Sequence, residues 1–380
     1  MYRLLAVLLP LSLVACAASG EDDDSFDDAL VQEYRTALPS AERLRSGIPT
    51  PESRAGALAL EADSDIARLA IEAAVAVNLP AAMIVTTLEV VTAFPPTTYD
   101  AERRELVWGP WDNDDGVGKV LVYVAENDAD ADFRYSYAFA RLAGDDPSAA
   151  VPVIAGGATP DPDDPDRGVG VTLWDIDANN AFDREHDPDF DPEARRAQGR
   201  IAMLYGAGED DGSRFAFNVA VFRDFVDDDA EAGTGPADLD FLYGSAVDPE
   251  GARWHFMDWT LTGDLCDAAA DSCFEGNVVD DLAETFALRA AFHGTAGRGE
   301  AAVSGGDLAA DVSLVDCWDT FMTTEYYAVE AGALSLAEGA CAGGDDVTLA
   351  ERGVPTLDDL DPELLGALDC VATEGIDACD

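Results

Sequence analysis

Positive charge is what this chain lacks. Lys and Arg together number 22 against 77 Asp and Glu, the formal net charge is −55, and Lys119 is the only lysine. Such a surface repels phosphate backbones and anionic lipid headgroups, which argues against nucleic acid and anionic membranes as partners. Histidine is almost as scarce: His186, His255 and His293 are far apart, and no two have ligand spacing. No Cys-x-x-Cys occurs, which speaks against a dithiol redox or zinc role. Gly-x-Ser-x-Gly, His-Glu-x-x-His and a phosphate-cradling glycine loop are all missing. Paired carboxylates of the glycosidase kind cannot be picked out of so many acids. The expectation is a non-catalytic protein; a hydrolase whose site assembles from distant loops is the alternative.

Apolar residues are not lacking. At 48% hydrophobic, 380 residues are enough to build the core of one large domain or two. The chain opens with a singly basic head, Met1-Tyr2-Arg3, and an apolar run from Leu4 to Leu13 broken by Pro10 and Ser12. That run suits a signal-peptide core and is shorter than the ~20 residues a membrane span takes. It ends in Leu13-Val14-Ala15-Cys16, which resembles the lipobox of bacterial lipoproteins. The resemblance implies that residues 1–15 are a signal peptide and that the Cys16 thiol receives diacylglycerol. The new amino end would then be acylated, typically with palmitate. Ala17 to Asp28 is small and then strongly acidic, a solvated tether. In Gram-negative envelopes an Asp directly after the lipidated Cys marks inner-membrane retention; Ala17 stands there, so the resemblance favours the outer membrane.

Ser25 can cap a short helix through Leu30, Val31 and Tyr34, stopped before Pro39. Residues 39–63, rich in Pro and Gly, read as a loose arm, so 16–63 form the anchor and tether region. Ser64 can cap a helix whose Ile66, Leu69, Ala70, Ala73 and Val77 share one face. Pro80 suits the first position of a second helix, through Met83, Ile84, Leu88 and Val91 to Phe94-Pro95-Pro96. This second helix is apolar nearly all round. Asn78, Pro80 and Glu89 interrupt it as a membrane span, so burial against a sheet is expected.

From Leu106 to Trp318 the period becomes two. Phe133, Tyr135, Tyr137 and Phe139 fall on one side of a strand; Phe215, Phe217, Val219 and Val221 do so again, as do Phe286, Leu288, Ala290 and Phe292. Further strands are expected at 118–125, 169–176, 200–205, 239–247, 252–261, 300–304 and 312–318. No helical period intervenes long enough for parallel crossovers, so the sheet should be antiparallel. The expected class is α+β: N-terminal helices packed on or in a strongly curved sheet of about ten strands, a half-barrel or barrel. That arrangement is similar to the half-barrel of bacterial periplasmic lipoprotein carriers, whose concave apolar face holds acyl chains. It implies an apolar small molecule between helices and sheet, or an envelope protein, as partner.

Phe94-Pro95-Pro96-Thr97, Trp108-Gly109-Pro110, Gly305-Gly306-Asp307-Leu308 and Asp316-Cys317-Trp318-Asp319 together resemble an uncharacterised family of predicted bacterial cell-envelope lipoproteins. The likeness covers roughly residues 60 to 330 and implies one continuous domain. On this reading residues 64–330 are the helix pair and β domain, and 331–380 an acidic, disulfide-pinned tail.

With Cys16 lipidated, six of seven cysteines remain, an even number in an oxidising compartment. Fifteen connectivities are open to six cysteines; chain order favours Cys266 with Cys273, Cys317 with Cys341, and Cys370 with Cys379. For metal, Asp175, Asp177, Asn179 and Asp183 stand at positions 1, 3, 5 and 9 of a calcium loop of the EF-hand type. His186 occupies the twelfth position, where a bidentate Glu is expected, so a strand running into a polar turn is the competing reading. Asp112-Asn113-Asp114-Asp115-Gly116 is a second acidic turn, suited to a cation or to a hairpin. Calcium at such turns would make the chain a structural or adhesion-type surface protein.

Overall fold

The computed structural model describes residues 27–48, 64–113, 116–164, 167–210, 212–226, 236–247, 251–263, 266–267, 272–273, 283–306, 308, 310–341, 344 and 347–375. Two short helices lead, α1 (Asp28–Arg35) and α2 (Ala41–Leu44), followed by the long α3 (Asp65–Thr92). Strands then run in chain order: β1 (Thr98–Asp100), β2 (Glu105–Asp112), β3 (Lys119–Glu126), β4 (Tyr135–Leu142), β5 (Val151–Pro160) and β6 (Gly168–Asp175). Helix α4 (Ile176–His186) separates these from β7 (Gln198–Asp210), β8 (Ser213–Val226), β9 (Ala237–Val247) and β10 (Arg253–Gly263). A two-stranded ladder, β11 (Cys266–Asp267) and β12 (Ser272–Cys273), precedes β13 (Glu284–His293), β14 (Ala296–Gly305), β15 (Val312–Trp318), β16 (Thr324–Ala331) and β17 (Leu334–Gly339). Helix α5 (Pro362–Glu374) closes the described chain.

All but β11 and β12 join one antiparallel sheet of 15 strands, in which every strand pairs with its neighbours in sequence. The antiparallel meander is as the period of two requires; its size and shape are not as expected. It has 15 strands rather than about ten, and it is neither closed into a barrel nor strongly curled. Its order begins at β1 and ends at β17, two free edges. Helix α3 reaches both halves of the sheet. Its 28 residues make a rod roughly 42 Å long. One end sits on β14 and β15, where Ile66 covers Gly299 and Ser64 Oγ donates to Asp316 at 2.6 Å. Just past the other end, Phe94 O accepts from Trp108 Nε1 of β2 at 3.1 Å. The helix thus bridges β13–β15 and β2–β3, strands near opposite ends of the order, while α2 meets β7 and β8 between them.

The helix pair expected on either side of Pro80 is therefore one helix. Pro80 removes the hydrogen bond its N–H would give to Ala76 and costs about 3 kcal/mol in a helix interior. The buried face nevertheless continues through it, with Val77, Ala81, Ile84 and Leu88 in one line against the sheet. That burial outweighs the local penalty. Asn78 adds a clamp beside the proline: its Oδ1 accepts from Ser46 N at 2.7 Å and its Nδ2 donates to Ser46 O at 2.9 Å. The described part of the expected loose arm is packed as well, with Arg43, Leu44 and Ser46 all buried.

Strand alternation sorts the sheet into two cores. Ile201, Met203 and Tyr205 face α3 with Ala220, Phe222, Phe241 and Tyr243, whereas Ala202, Leu204, Val219, Val221 and Leu242 face α5. Aromatic rings lie on glycines directly across the ladder: Tyr137 on Gly156, Tyr205 on Gly170, Phe217 on Gly206, and Phe256 on Gly244. A Cβ at Gly244 would come within 2.1 Å of the Phe256 ring, and one at Gly156 within 2.4 Å of the Tyr137 hydroxyl oxygen. Glycine is thus the partner that lets each ring lie flat on the strand.

The residues after 330 are built into the fold rather than appended to it. The expected boundary falls inside the β16–β17 hairpin, and α5 buries Leu368 and Ala372 on the second face. Cys317 and Cys341 are bridged. Cys370 is also disulfide-bonded, while Cys379, its expected partner, lies outside the described residues. Cys266 and Cys273 are Cα partners in the small ladder.

Candidate functional site

The four residues of the expected calcium loop lie at the start of α4 and along it, and a helix does not fold its side chains around one point. Asp175 ends β6 and caps α4, its Oδ1 accepting from Ala178 N at 2.8 Å and its Oδ2 from Arg200 Nε at 2.9 Å. Asp177 accepts from Gly199 N at 3.0 Å, where β7 bulges. Gly199 has φ +94, and a Cβ there would lie 2.5 Å from Arg223 O, so only glycine fits. Asn179 and Asp183, four apart on one helix face, turn to β4 instead. There Arg141 donates Nη1 to Asn179 Oδ1 at 2.6 Å and Nη2 to Asp183 Oδ1 at 2.9 Å. The set is split into two pairs, each bound to protein donors. Among the described residues no three His, Cys, Asp or Glu converge as a metal site. In this arrangement the four residues cap and dock a helix, and their oxygens are not gathered round one point. His186, the irregular twelfth position, packs against the Phe182 ring with centroids 4.6 Å apart.

Arginines therefore organise this end of the molecule, and no motif pointed to them. Arg141 is buried, spans Val117 O, Asn179 and Asp183, and lies over Phe182 at 4.6 Å. One signal was present: Arg141 continues the parity of Tyr135, Tyr137 and Phe139, placing a rare cation on the aromatic side of a strand. Beside it a cleft of about 480 Å3 opens between α4 and the turn after it, lined by Asp175, Asp177, Arg184, Arg196 and Arg200. Arg196 covers its Phe190 wall at 4.1 Å. A second cleft, of about 400 Å3, lies where α1 and α2 meet α3, with Arg35, Arg43, Ser40 and Glu89 on its walls.

The space between α3 and the sheet, where an apolar ligand was expected, is filled by one continuous cluster of side chains. Among its phenols, Tyr137 and Tyr205 have their pKa pushed up by burial. His255 and His293, distant in sequence, lie one register step apart on the paired strands β10 and β13 and face opposite sides of the sheet. His255 Nδ1 is 2.9 Å from Tyr243 Oη, which donates to Gly47 O at 2.9 Å. With that hydroxyl proton on Gly47 O, the imidazole supplies the proton at Nδ1; burial, then the charge of Arg253, lowers its pKa. His293 stacks on Trp254 at 4.2 Å. Among the described residues no histidine is paired with a carboxylate.

The least expected surface is the outer side of α3. Val75, Leu79, Met83 and Val90 along it, and Phe94 just past its end, recur every four to seven residues, each between 42% and 61% exposed. Of the exposed positions from 75 to 94, Glu89 alone is ionisable. The helix is long and apolar enough to cross a membrane by length and composition, with mean hydropathy 1.8, yet half of that window is buried on the sheet. It is a helix with one apolar face used and another left open.

No protein-family model, curated protein or solved structure matches the chain.

Proposed function

We propose that this chain is a lipid-anchored cell-envelope protein that acts as a non-catalytic interaction module, presenting the outer face of α3 from a rigid sheet. The observation that carries the interaction half is that face: a run of exposed apolar side chains on a chain of net charge −55. Contiguous exposed apolar patches beyond about 400 Å2 mark sites of protein or membrane contact. The anchor half is supported by Leu13-Val14-Ala15-Cys16 at the end of an apolar run, and the outer membrane by Ala17. In the α4 cleft Asp175, Asp177 and Arg200 are taken up in capping and docking helices, and in the other cleft Arg35 and Arg43 donate to backbone carbonyls, so neither is read as a reaction site.

Radiolabelled palmitate should enter the wild-type chain in cells and fail to enter Cys16→Ser, which should move to the soluble fraction. Equal labelling of both would remove the anchor. A photo-crosslinking residue at position 83 should form adducts in intact envelopes and none in the isolated soluble chain. No adduct in envelopes would remove the interaction half.

A further inference from the structure

We propose that the partner of the α3 outer face is the lipid surface itself, with the stripe seated at the headgroup–acyl boundary of a zwitterionic leaflet. Anchorage through Cys16 is the premise. Three observations point to lipid. Val75 to Phe94 spans about 28 Å of helix, and over that length only Glu89 of the exposed positions carries charge. A lipid-lying helix needs such an apolar face, and its binding grows with the apolar area inserted.

Position is the second. The chain reaches α3 from the amino end through α1, whose Arg35 donates to Thr92 O and Phe94 O at the C-terminal end of the stripe. Cys16 precedes Asp27 by eleven residues, a reach of roughly 40 Å at full extension. A leaflet holding the Cys16 lipid is thus held within about one α3 length of α1. Contact with the stripe becomes an intramolecular event, for which a weak surface suffices.

Charge is the third. A second copy would bring another body of net charge −55 and a second Glu89 to the same seam, which self-repulsion disfavours. A neutral leaflet presents no such field.

The test couples the mature chain, under oxidising conditions, through Cys16 to maleimide lipid in phosphatidylcholine–phosphatidylethanolamine vesicles. This supplies the tether chemically, so docking can fail while cellular lipidation holds, and the reverse. Leu79→Trp places a reporter on the stripe and Leu364→Trp a control on α5, beyond the sheet; the parent's six tryptophans are subtracted as background. The Leu79→Trp emission should shift blue and be quenched by brominated lipid, and the Leu364→Trp emission should not. Adding Val75→Glu and Met83→Glu should abolish the quenching while leaving the thermal unfolding midpoint unchanged. Absence of quenching at 79, equal quenching at 364, or quenching that survives both glutamates would overturn the proposal. So would sedimentation of the Cys16→Ser chain as a dimer that the same glutamates dissociate, since the face would then belong to a second copy.

Discussion

Helices α3 and α5 cover opposite faces of one sheet and are held there by different forces. Along its inner face α3 is apolar, with Ile66, Val77, Ile84 and Leu88 all fully or nearly fully buried. Polar contacts to the rest of the protein are made at its ends and at Asn78. The shorter α5 buries Leu368 and Ala372 and is otherwise tied by directional bonds. Arg200 Nη1 donates to Thr373 O at 2.6 Å, Arg223 Nε meets Asp369 at 2.7 Å, and Cys370 is in a disulfide. Apolar burial is indifferent to salt, pH and redox state, whereas ion pairs and disulfides answer to all three. The α3 face should behave as a permanent layer and the α5 face as a conditional one.

The strongest way to break that contrast is to cut into the layer said to be permanent. Leu88→Ala, at a position with no exposed surface, should lose about 2–5 kcal/mol in urea unfolding. Leu79→Ala on the same helix's outer face should stay within about 0.5 kcal/mol; a comparable loss at both would mean the outer face is covered in the isolated chain. Next in size, Cys370→Ser should cost about 2 kcal/mol. Hydrogen exchange should locate that loss in α5 and leave α3 protected. Asp369→Asn should cost no more than about 1 kcal/mol, because Asp369 is half exposed and the pair is screened. Half-molar salt should erase the difference from wild type.

Smallest is a pH effect of opposite sign on the two faces of β10. His255 looks toward α3 and its folded pKa lies below the ordinary 6.5. Its neutral form is the one folding favours, so its contribution is present above that ordinary value and is lost as pH falls through the folded value. Asp258, three residues on and facing α5, accepts from Leu357 N at 2.9 Å, and burial raises its pKa above 3.8. Its contribution is present below that value and is lost as pH rises through the folded one. Unfolding free energy measured against pH should therefore lose an acid-side decline in His255→Gln and lose a decline toward neutral pH in Asp258→Asn. Unchanged profiles in both would show that neither face couples to protons.

Side-chain period determined much of this protein by itself. The strands around Tyr137, Val219 and Leu288 were legible because one buried face on an antiparallel sheet forces alternation, whichever partners surround it. Ser64 was legible as a cap because its hydroxyl acts on its own next turn. Other features depend on contacts that no local window contains. No strand was expected at β5, which carries Pro152, Gly156 and Gly157 and depends on the Tyr137 ring from β4 to occupy the empty side of Gly156. Asp175 to Asp183 reads as a cation loop until Arg141 and Arg200, distant in sequence, supply the positive charge that a metal would have brought. Pro80 reads as a break until a sheet on one side makes continued burial outweigh a lost hydrogen bond. Whether the sheet closed or stayed open was decided by tertiary structure alone, because alternation fixes which face of each strand is buried and not whether the first strand meets the last.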